Sequence, residues 1–498
     1  MRARFGWPSW SGAGWSDAGL AFGLGAVMAT GQAPWGFWGL TVLGLAALLH
    51  LVGLSVSPAW TALFGGAGYF ALALSWIVQP FLIDAARYGW MAPFAIVFAS
   101  FGFALFWAAA GFVAGQMRGR AQRVLAFGVG LAVAELTRGY VLTGFPWALI
   151  GHVWIDTPLA QVAALVGPSG LTLLTVLAVA LPVAFAWRGL AAGSMLLAAG
   201  LAFGMVRLAE PEPAARGVTL RLVQPNADQK VKWNPDVAGM LFDRQLAFSA
   251  VLPRPDVVIW PETAVPYLLE NDSSVGQAMA AAAGGVPVVA GIQRYDGLQA
   301  WNSLAVIGDG GQIEALYDKY HLVPFGEYMP FGDSLYDWFG IKALAARQGN
   351  GYAAGTGGKV IDLGDRLGKF VPLICYEAVF PQDLRGLPER PDWILQITND
   401  AWFGTLTGPY QHLAQARFRA IEQGLPLVRV ANTGISAVVD ARGRIVADLP
   451  RGVAAYLDTG LPGAMAETPY ARWGEVPLLV LLAGLSLWLL AWRRVGVA

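Results

Sequence analysis

The sequence predicts two architectures in one chain: a multi-span α-helical membrane part of about eight transmembrane helices, and an α/β layered domain set between the seventh and the last of them. Three observations lead there. The composition is 56% hydrophobic and 13% charged, with 21 Trp, which is too apolar for a soluble globular chain. The charges are also partitioned: from Met1 to Glu210 the acids are Asp17, Asp84, Glu135, Asp156 and Glu210, and lysine is absent. Residues 211–474 instead alternate short β-rich runs with helical spacing, the pattern of a layered α/β domain.

A bilayer crossing takes about 20 mostly apolar residues. Runs near 18–33, 35–54, 58–78, 90–115, 123–141, 160–187, 191–207 and 476–492 meet that description. Arg2 and Arg4 precede the first run, as they would in a signal peptide, but no clear small-residue cleavage site follows, so it reads as an anchor. Cytoplasmic flanks carry the excess of Arg and Lys. With the N-terminus inside, Arg2 and Arg4, then Arg118, Arg120 and Arg123, then Arg188, and finally Arg493 and Arg494 all fall on the inner side. The expected domains are therefore 1–207 with about seven helices, 208–474 on the outer side, and 475–498 as a last helix and cytoplasmic tail. In a bacterial inner membrane that outer side is the periplasm. Proline and charge in "RLAEPEPAARG" (207–217) mark the junction.

Composition also excludes several classes. Formal net charge is zero and no basic stripe is present, so no nucleic-acid partner is expected. Cys375 is the single cysteine, which rules out an intramolecular disulfide and a CxxC zinc site. His50, His152, His321 and His412 lie far apart, and no metal site is expected.

Within the outer domain, "VTLRLVQPN" (218–226), "PDVVIWPE" (255–262), "VPVVAGIQRY" (286–295), "FVPLI" (370–374) and "DWILQIT" (392–398) read as strands. "NSLAVIGDGGQIEALYDKY" and "SAVVDARGRIVADL" read as hairpins, turning at Asp309-Gly310-Gly311 and Arg442-Gly443. Residues 236–251, 273–284 and 409–424 have helical spacing. Three reactive side chains stand where such strands end. Cys375 follows "FVPLI" directly, Glu262 follows "VVIWP", and Lys319 follows "IEALYD". Ligands of open α/β sheets collect at strand C-termini. A thiol needs a base and a tetrahedral intermediate needs positive charge or N–H donors, so Glu262 fits the base and Lys319 the donor. The chain uses 27 arginines against six lysines, and a compact ammonium approaches a reacting centre as a guanidinium does not. A lone thiol facing an oxidising compartment also risks unwanted pairing unless chemistry retains it.

The motifs "WPETAVP" (260–266), "YDKYHLVPFGEYMPF" (317–331), "LICYEAVFP" (373–381) and the stretch from "TNDAWFG" to "SAVVD" (398–440) resemble the carbon-nitrogen hydrolase, or nitrilase, superfamily. Within it they are similar to the apolipoprotein N-acyltransferases, as is the membrane segment 142–174. The resemblance implies a nitrilase-like αββα sandwich for the outer domain. It implies Glu262 as general base, Lys319 as oxyanion stabiliser and Cys375 as nucleophile. By the same resemblance Glu327, Tyr376, Glu377, Trp233 and Asn302 support the site or bind substrate. The implied reaction moves an acyl chain from a phospholipid, typically phosphatidylethanolamine, through a Cys375 thioester to the α-amine of S-diacylglyceryl-cysteine on a lipoprotein, without metal or dissociable cofactor. Thr405 after "WFG" and Pro168-Ser169 before Gly170 depart from the family's pattern away from the triad, which bears on substrate preference. The aromatic stretch 328–344, with Met329, Phe331, Tyr336, Trp338 and Phe339, reads as a lid at headgroup level, hinged by Gly349, Gly351, Gly355, Gly357 and Gly358. Two other readings stay open at this point: an amidase that discharges its thioester to water, and a transporter or lipid-binding scaffold with a degenerate nitrilase domain.

Overall fold

The computed structural model describes residues 14–267, 269, 274–297, 299–330 and 351–495. They gather into two compact units: the described residues up to Val78 with Trp90–Leu208 and those from Glu475 onward, and Gln79–Gly89 with Ala209–Gly474. The second unit thus takes up a short stretch that connects two predicted spans. Of the expected lid, Phe331, Tyr336, Trp338, Phe339 and Gly349 lie outside the described residues, as do Arg2 and Arg4.

The first unit is helical: Gly14–Ala29, Trp38–Leu54, Pro58–Ala73, Ala92–Gly115, Arg120–Arg138, Ala163–Ala209 and Val476–Val495. The long run Ala163–Ala209 leaves helical geometry at Phe185 and Ala186 and doubles back. A Cβ on Gly189 would stand 1.9 Å from the Leu181 carbonyl oxygen, and one on Gly193 2.3 Å from that of Ala178. Glycine alone permits this approach of backbones, so the run is two antiparallel limbs. By length and apolarity, three described stretches qualify as crossings: Ala85–Gly115, Pro158–Ala209 and Val476–Arg494. A fourth counts if Pro58–Ala73 and Ser75–Ile83, bent by 62°, are one span. Eight crossings are not reached on that measure, for physical reasons. Ser16–Ala29 and Trp38–Leu54 are apolar but short, Arg120–Arg138 carries Arg123, Glu135 and Arg138 along its length, and the two limbs of the hairpin register as one. Glu135 and Arg138, the charges that stand out within the predicted spans, pair at 2.6 Å while buried, and Glu135 also accepts from Trp107 Nε1 at 2.7 Å. A charge in hydrocarbon is tolerated when it is partnered in this way.

The second unit holds twelve strands in two six-stranded sheets. They are β1 Thr219–Gln224, β2 Val257–Ile259, β3 Val288–Asp296, β4 Gln299–Ile307, β5 Ile313–Asp318, β6 Ile361–Asp362, β7 Lys369–Ile374, β8 Trp393–Thr398, β9 Leu427–Ala431, β10 Ser436–Val439, β11 Ile445–Leu449 and β12 Ala455–Gly460. The spatial orders are β12-β1-β2-β3-β4-β5 and β11-β10-β9-β8-β7-β6. Phe242 of helix Pro235–Ser249 and Met279 of helix Ser274–Ala283 pack on Val223, Val258 and Ala290 of the first sheet. Leu413, Ala416 and Ala420 of helix Gly408–Gln423 pack on Val371, Ile394 and Leu427 of the second. Ser436 on β10 donates to Gln224 on β1 at 2.6 Å between the inner faces. The layers run helix, sheet, sheet, helix. The predicted strands, hairpins and helices occur within a few residues of their expected bounds; β6, β9 and β12 go beyond the set read from the sequence, and β3 and β4 form a further antiparallel pair.

β2, β3, β7, β8 and β9 include the parallel pairings, so the loops leaving β2, β7 and β8 emerge from strand C-termini. Gly291 on β3 lets one of them lie flat: a Cβ there would stand 2.5 Å from Glu262 Cα, and its own N–H donates to Pro261 O at 3.1 Å. Any larger residue would push the turn that carries Glu262 off the sheet.

Candidate active site

The apolar, Pro-containing run of β7 ends at Ile374, and the chain turns at once into a short helical segment, Cys375–Val379. Cys375 has φ +52°. A left-handed non-glycine residue costs on the order of 1–3 kcal/mol and persists only where its surroundings hold it. Here Glu377 Oε2 accepts from Ile374 N at 2.6 Å, and the Cys375 carbonyl oxygen lies 3.1 Å from Gln396 Nε2 and 3.0 Å from His412 Nε2. Cys375 sits on a buried, pinned strand exit.

Glu262 stands three residues beyond Ile259, the last residue of β2, after Trp260-Pro261. Its Oε2 accepts from Asn399 N at 2.7 Å and its Oε1 from Asn302 Nδ2 at 2.6 Å. Lys319 follows β5, and its N–H donates to Asn302 O at 2.8 Å. The Lys319 ammonium grips Glu327, with Nζ 2.7 and 2.8 Å from the two carboxylate oxygens, and stands 4.0 Å from Glu262 Oε1. Asn302 bridges the two acids, its Nδ2 lying 3.0 Å from Glu327 Oε1. Glu262, Lys319, Glu327, Asn302 and Cys375 are all buried.

The charges follow from this packing. Burial raises the Glu262 carboxyl, and Glu327 adds to that against the opposing pull of Lys319. Burial works against the Lys319 ammonium, but Glu327, the Cys375 sulfur and Glu262 outweigh it, and its pKa rises. Burial, with Glu262 beside it, pushes the Cys375 thiol well up despite Lys319. The resting site therefore holds a neutral thiol, a permanent ammonium and a carboxylate of enhanced basicity. That combination deprotonates the thiol on demand and carries a cation ready for an oxyanion.

The other expected residues are placed as follows. Glu377 ties the nucleophile turn to the Lys319 loop, its Oε1 accepting from Tyr317 OH at 2.7 Å, Tyr320 N at 2.7 Å and His321 N at 3.2 Å. Tyr376 is buried and packs edge-on against Phe380 and His321. Trp233 is half-buried under the Lys232 ammonium, 4.8 Å from its ring centre, and lines a small cavity with Glu262, Thr263, Gln245 and Asn432. Among the described residues, no group of three His, Cys, Asp or Glu side chains could hold a metal ion.

Four buried side chains behind Cys375 were not singled out from the sequence. Asp400 Oδ1 lies 2.9 Å from His412 Nδ1, Arg429 reaches Asp400 Oδ2, and Arg429 NH1 donates to Gln396 Oε1 at 2.6 Å. Their signal is present: Gln396 and Arg429 are polar residues inside fully buried strands, and they are register partners across β8 and β9. The ion pair keeps Asp400 ionised; burial opposes it, but Arg429 and His412 hold its pKa at about 2.

Glu377 yields a pH prediction. Burial, partly offset by the Ile374 N–H and the Tyr317 hydroxyl, lifts its pKa to about 7. A carboxyl whose folded pKa is raised stabilises the fold at low pH and loses that contribution as pH rises through the folded value. Wild-type stability should thus fall from pH about 4.5, the ordinary carboxyl value, to about 7, the folded one, by on the order of 3 kcal/mol from this group. Glu377→Gln should lack that slope, so its Tm gains on wild type as pH rises in thermal melts. The same variant turns an amide NH₂ or misfit oxygen toward Ile374 N–H and should cost about 10²-fold in activity through displacement of the nucleophile.

Comparisons with known proteins identify the family. A carbon-nitrogen hydrolase family profile matches residues 224–469, and the profile for the apolipoprotein N-acyltransferase N-terminal domain matches residues 24–181. The chain is 40% identical to an apolipoprotein N-acyltransferase of Bradyrhizobium diazoefficiens, across 97% of this chain and 96% of that one. It is 37% identical to the corresponding protein of Rhodopseudomonas palustris, across 97% and 96%. Among solved structures, a mutant of an amidase from Nesterenkonia AN1 overlays on 55% of this chain and 99% of its own, at 17% identity and a TM-score of 0.37.

Proposed function

The chain belongs to the apolipoprotein N-acyltransferases, and from that premise we propose that Cys375, Glu262 and Lys319 run a two-step acyl transfer at the outer face of a bacterial inner membrane. The protein is a membrane acyltransferase with a lipid donor and a lipoprotein acceptor. The observation that carries the catalytic assignment is the presence of the Glu262 carboxylate and of the Lys319 ammonium, itself gripped by Glu327, beside a buried thiol whose backbone is held at a left-handed strand exit.

In the first step Glu262 takes the Cys375 proton and the thiolate attacks an ester carbonyl of a phospholipid, phosphatidylethanolamine being the proposed donor. Lys319 Nζ, kept charged and oriented by Glu327, meets the oxygen of the tetrahedral intermediate. Collapse leaves a thioester, and the lysophospholipid departs with the proton from Glu262. In the second step the α-amine of an S-diacylglyceryl-cysteine attacks the thioester, Glu262 takes the amine proton, and the thiol is regenerated. Splitting the transfer this way replaces one hard aminolysis of an ester by two easier steps. Both substrates carry acyl chains that cost about 0.8 kcal/mol per CH₂ to draw into water, which is why the catalytic domain is tied to membrane helices. We further propose eight crossings, with 208–474 facing the periplasm; the arginine clusters at 118–123, 188 and 493–494 support that orientation.

The test is an intact mass after incubation with phosphatidylethanolamine. An acyl adduct that hydroxylamine removes and that a diacylglyceryl-cysteine peptide discharges faster than water is the expected result. No adduct on folded, reduced protein would sink the thioester route, and discharge to water alone would make the protein a hydrolase. Because Glu262 is raised, the rate of acyl loading should climb with pH along a limb that lies above the ordinary carboxylate range, seen in rapid-quench rates across pH.

A further inference from the structure

We propose that Gln396 is a positioning residue of the acyl transfer described above: its side-chain amide holds the Cys375 carbonyl and thereby aims the Tyr376 N–H at the oxygen of the reacting carbonyl. The proposal rests on that reaction and adds to it a residue behind the nucleophile that touches neither substrate.

The argument begins with the Cys375–Tyr376 peptide. It is planar and trans, so its N–H points opposite to its C=O. Whatever fixes the Cys375 oxygen fixes the direction of the Tyr376 N–H, which is carried on the residue next to the sulfur. Two nitrogens approach that oxygen, Gln396 Nε2 at 3.1 Å and His412 Nε2 at 3.0 Å. They are not equivalent. Asp400 is an ionised acceptor 2.9 Å from His412 Nδ1, closer than the Arg429 NH2 group at 3.3 Å, so the proton is assigned to that nitrogen. Burial, with Arg429 close by, lowers the His412 pKa against Asp400 and keeps the ring neutral. His412 Nε2 then presents a lone pair, and two acceptors, that lone pair and the Cys375 oxygen, stand 3.0 Å apart.

Gln396 resolves the conflict. Its NH₂ group has two hydrogens and lies 3.0 Å from His412 Nε2 and 3.1 Å from the Cys375 oxygen, so it serves both acceptors. Its orientation is imposed from the other end, where Arg429 NH1 donates to Gln396 Oε1 at 2.6 Å. An arginine cannot donate to an NH₂, so the amide cannot flip. Register makes this possible: Gln396 and Arg429 are direct neighbours on parallel β8 and β9, and Gln396 is also opposite Leu373 on β7, two residues before the nucleophile.

Removing the amide hydrogens leaves a carbonyl oxygen facing a lone pair. The peptide relieves this by rotating, which swings the Tyr376 N–H away, or His412 takes up a proton and donates in place of Gln396. The second route gives a signature that general loosening of the fold does not: acidification below the ordinary imidazole range, where the lowered His412 takes up its proton, restores the variant relative to wild type.

The experiment uses full-length protein in detergent micelles with phosphatidylethanolamine, comparing wild type with Gln396→Met, which keeps the volume and lacks the hydrogens. Two rates are read at Cys375: acyl loading, which develops an oxyanion, and alkylation by iodoacetamide, which does not. Loading should fall about 10²-fold, the effect of losing one oxyanion donor, while alkylation stays within about threefold of wild type. The ratio of variant to wild-type loading should rise at least about tenfold once pH is taken below the ordinary imidazole range and His412, whose own pKa is lowered, takes up its proton. Unchanged loading, a parallel fall in alkylation, or a pH-independent ratio would each overturn the proposal. If Gln396→Met does not fold, Gln396→Glu is read the same way, since its carboxylate pairs with Arg429 and has no hydrogen for the Cys375 oxygen. Wild type that fails to load at all strikes the acyl-transfer reading instead, so the two failures are distinct.

Discussion

Cys375→Ala is expected to abolish the acyl adduct and to lower N-acyl transfer by at least about 10⁴-fold, the scale of losing a nucleophile whose partners act with it as a unit. Serine should not rescue it. Burial and Glu262 already raise the thiol well above its usual value, and a hydroxyl in the same place is harder still to ionise. The loss should come without unfolding, because the side chain removed is small and the turn is held by Glu377 and Gln396 rather than by sulfur. Backbone strain offers an internal control. At φ +52° alanine retains the left-handed penalty of Cys, whereas glycine does not, so Cys375→Gly should be as inactive as Cys375→Ala yet about 1 kcal/mol more stable. Intact mass and thermal melts of the three proteins side by side check both halves. An active alanine variant would remove Cys375 from the mechanism.

Lys319→Met should do nearly as much damage and should also destabilise the protein. The wild-type site balances two buried carboxylates against one ammonium, with Lys319 Nζ 2.7 Å from Glu327 and 4.0 Å from Glu262. Without the ammonium the acids share only Asn302 and a few backbone donors. Breaking a buried pair by deleting one partner costs about 3–5 kcal/mol, and loss of an oxyanion donor costs about 10²–10³-fold in kcat. Part of the stability should return at low pH, where the raised Glu262 takes up a proton. Lys319→Arg should not restore activity, since a planar guanidinium neither fits the volume nor converges on a single reacting oxygen. The measurements are Tm across pH and the single-turnover loading rate; a stable Lys319→Met with wild-type loading would show that another group meets the oxyanion.

Much of this site was legible because chemistry stands where apolar runs stop. "FVPLI" ends at Cys375, "VVIWP" at Glu262 and "IEALYD" at Lys319, and each stop is a strand end in the structure. What escaped was carried by pairing between distant segments. β9 reads poorly as a strand because Arg429 interrupts it, and that arginine makes sense only beside Gln396 on β8. β12 is a partly exposed edge with mixed composition, and β6 has two residues, so neither leaves a periodic trace. In the membrane part the apolar runs 160–187 and 191–207 stand apart in the sequence, whereas the helical stretch Pro158–Ala209 counts as one apolar crossing of 52 residues. The fold-back at Phe185–Ala186 depends on glycines that matter only once the limbs lie together. Asp400 and His412 sit twelve residues apart in sequence and acquire a role only through the carbonyl of a third residue.

The pairing of β1 with β12, Thr219 opposite Gly460 through Gln224 opposite Ala455, has a consequence for how the protein is made. The first strand to leave the ribosome in this domain waits for the last. Until Ala455–Gly460 is translated, β1 is an open edge with unpaired N–H and C=O groups, and such an edge recruits other strands. A stop codon before Ala455 would therefore yield an aggregating species rather than a smaller enzyme, even though Cys375, Glu262 and Lys319 would all be present. The strand that closes the sheet is followed almost directly by helix Val476–Val495, so completion of the catalytic fold and synthesis of the last membrane helix belong to the same moment of biogenesis.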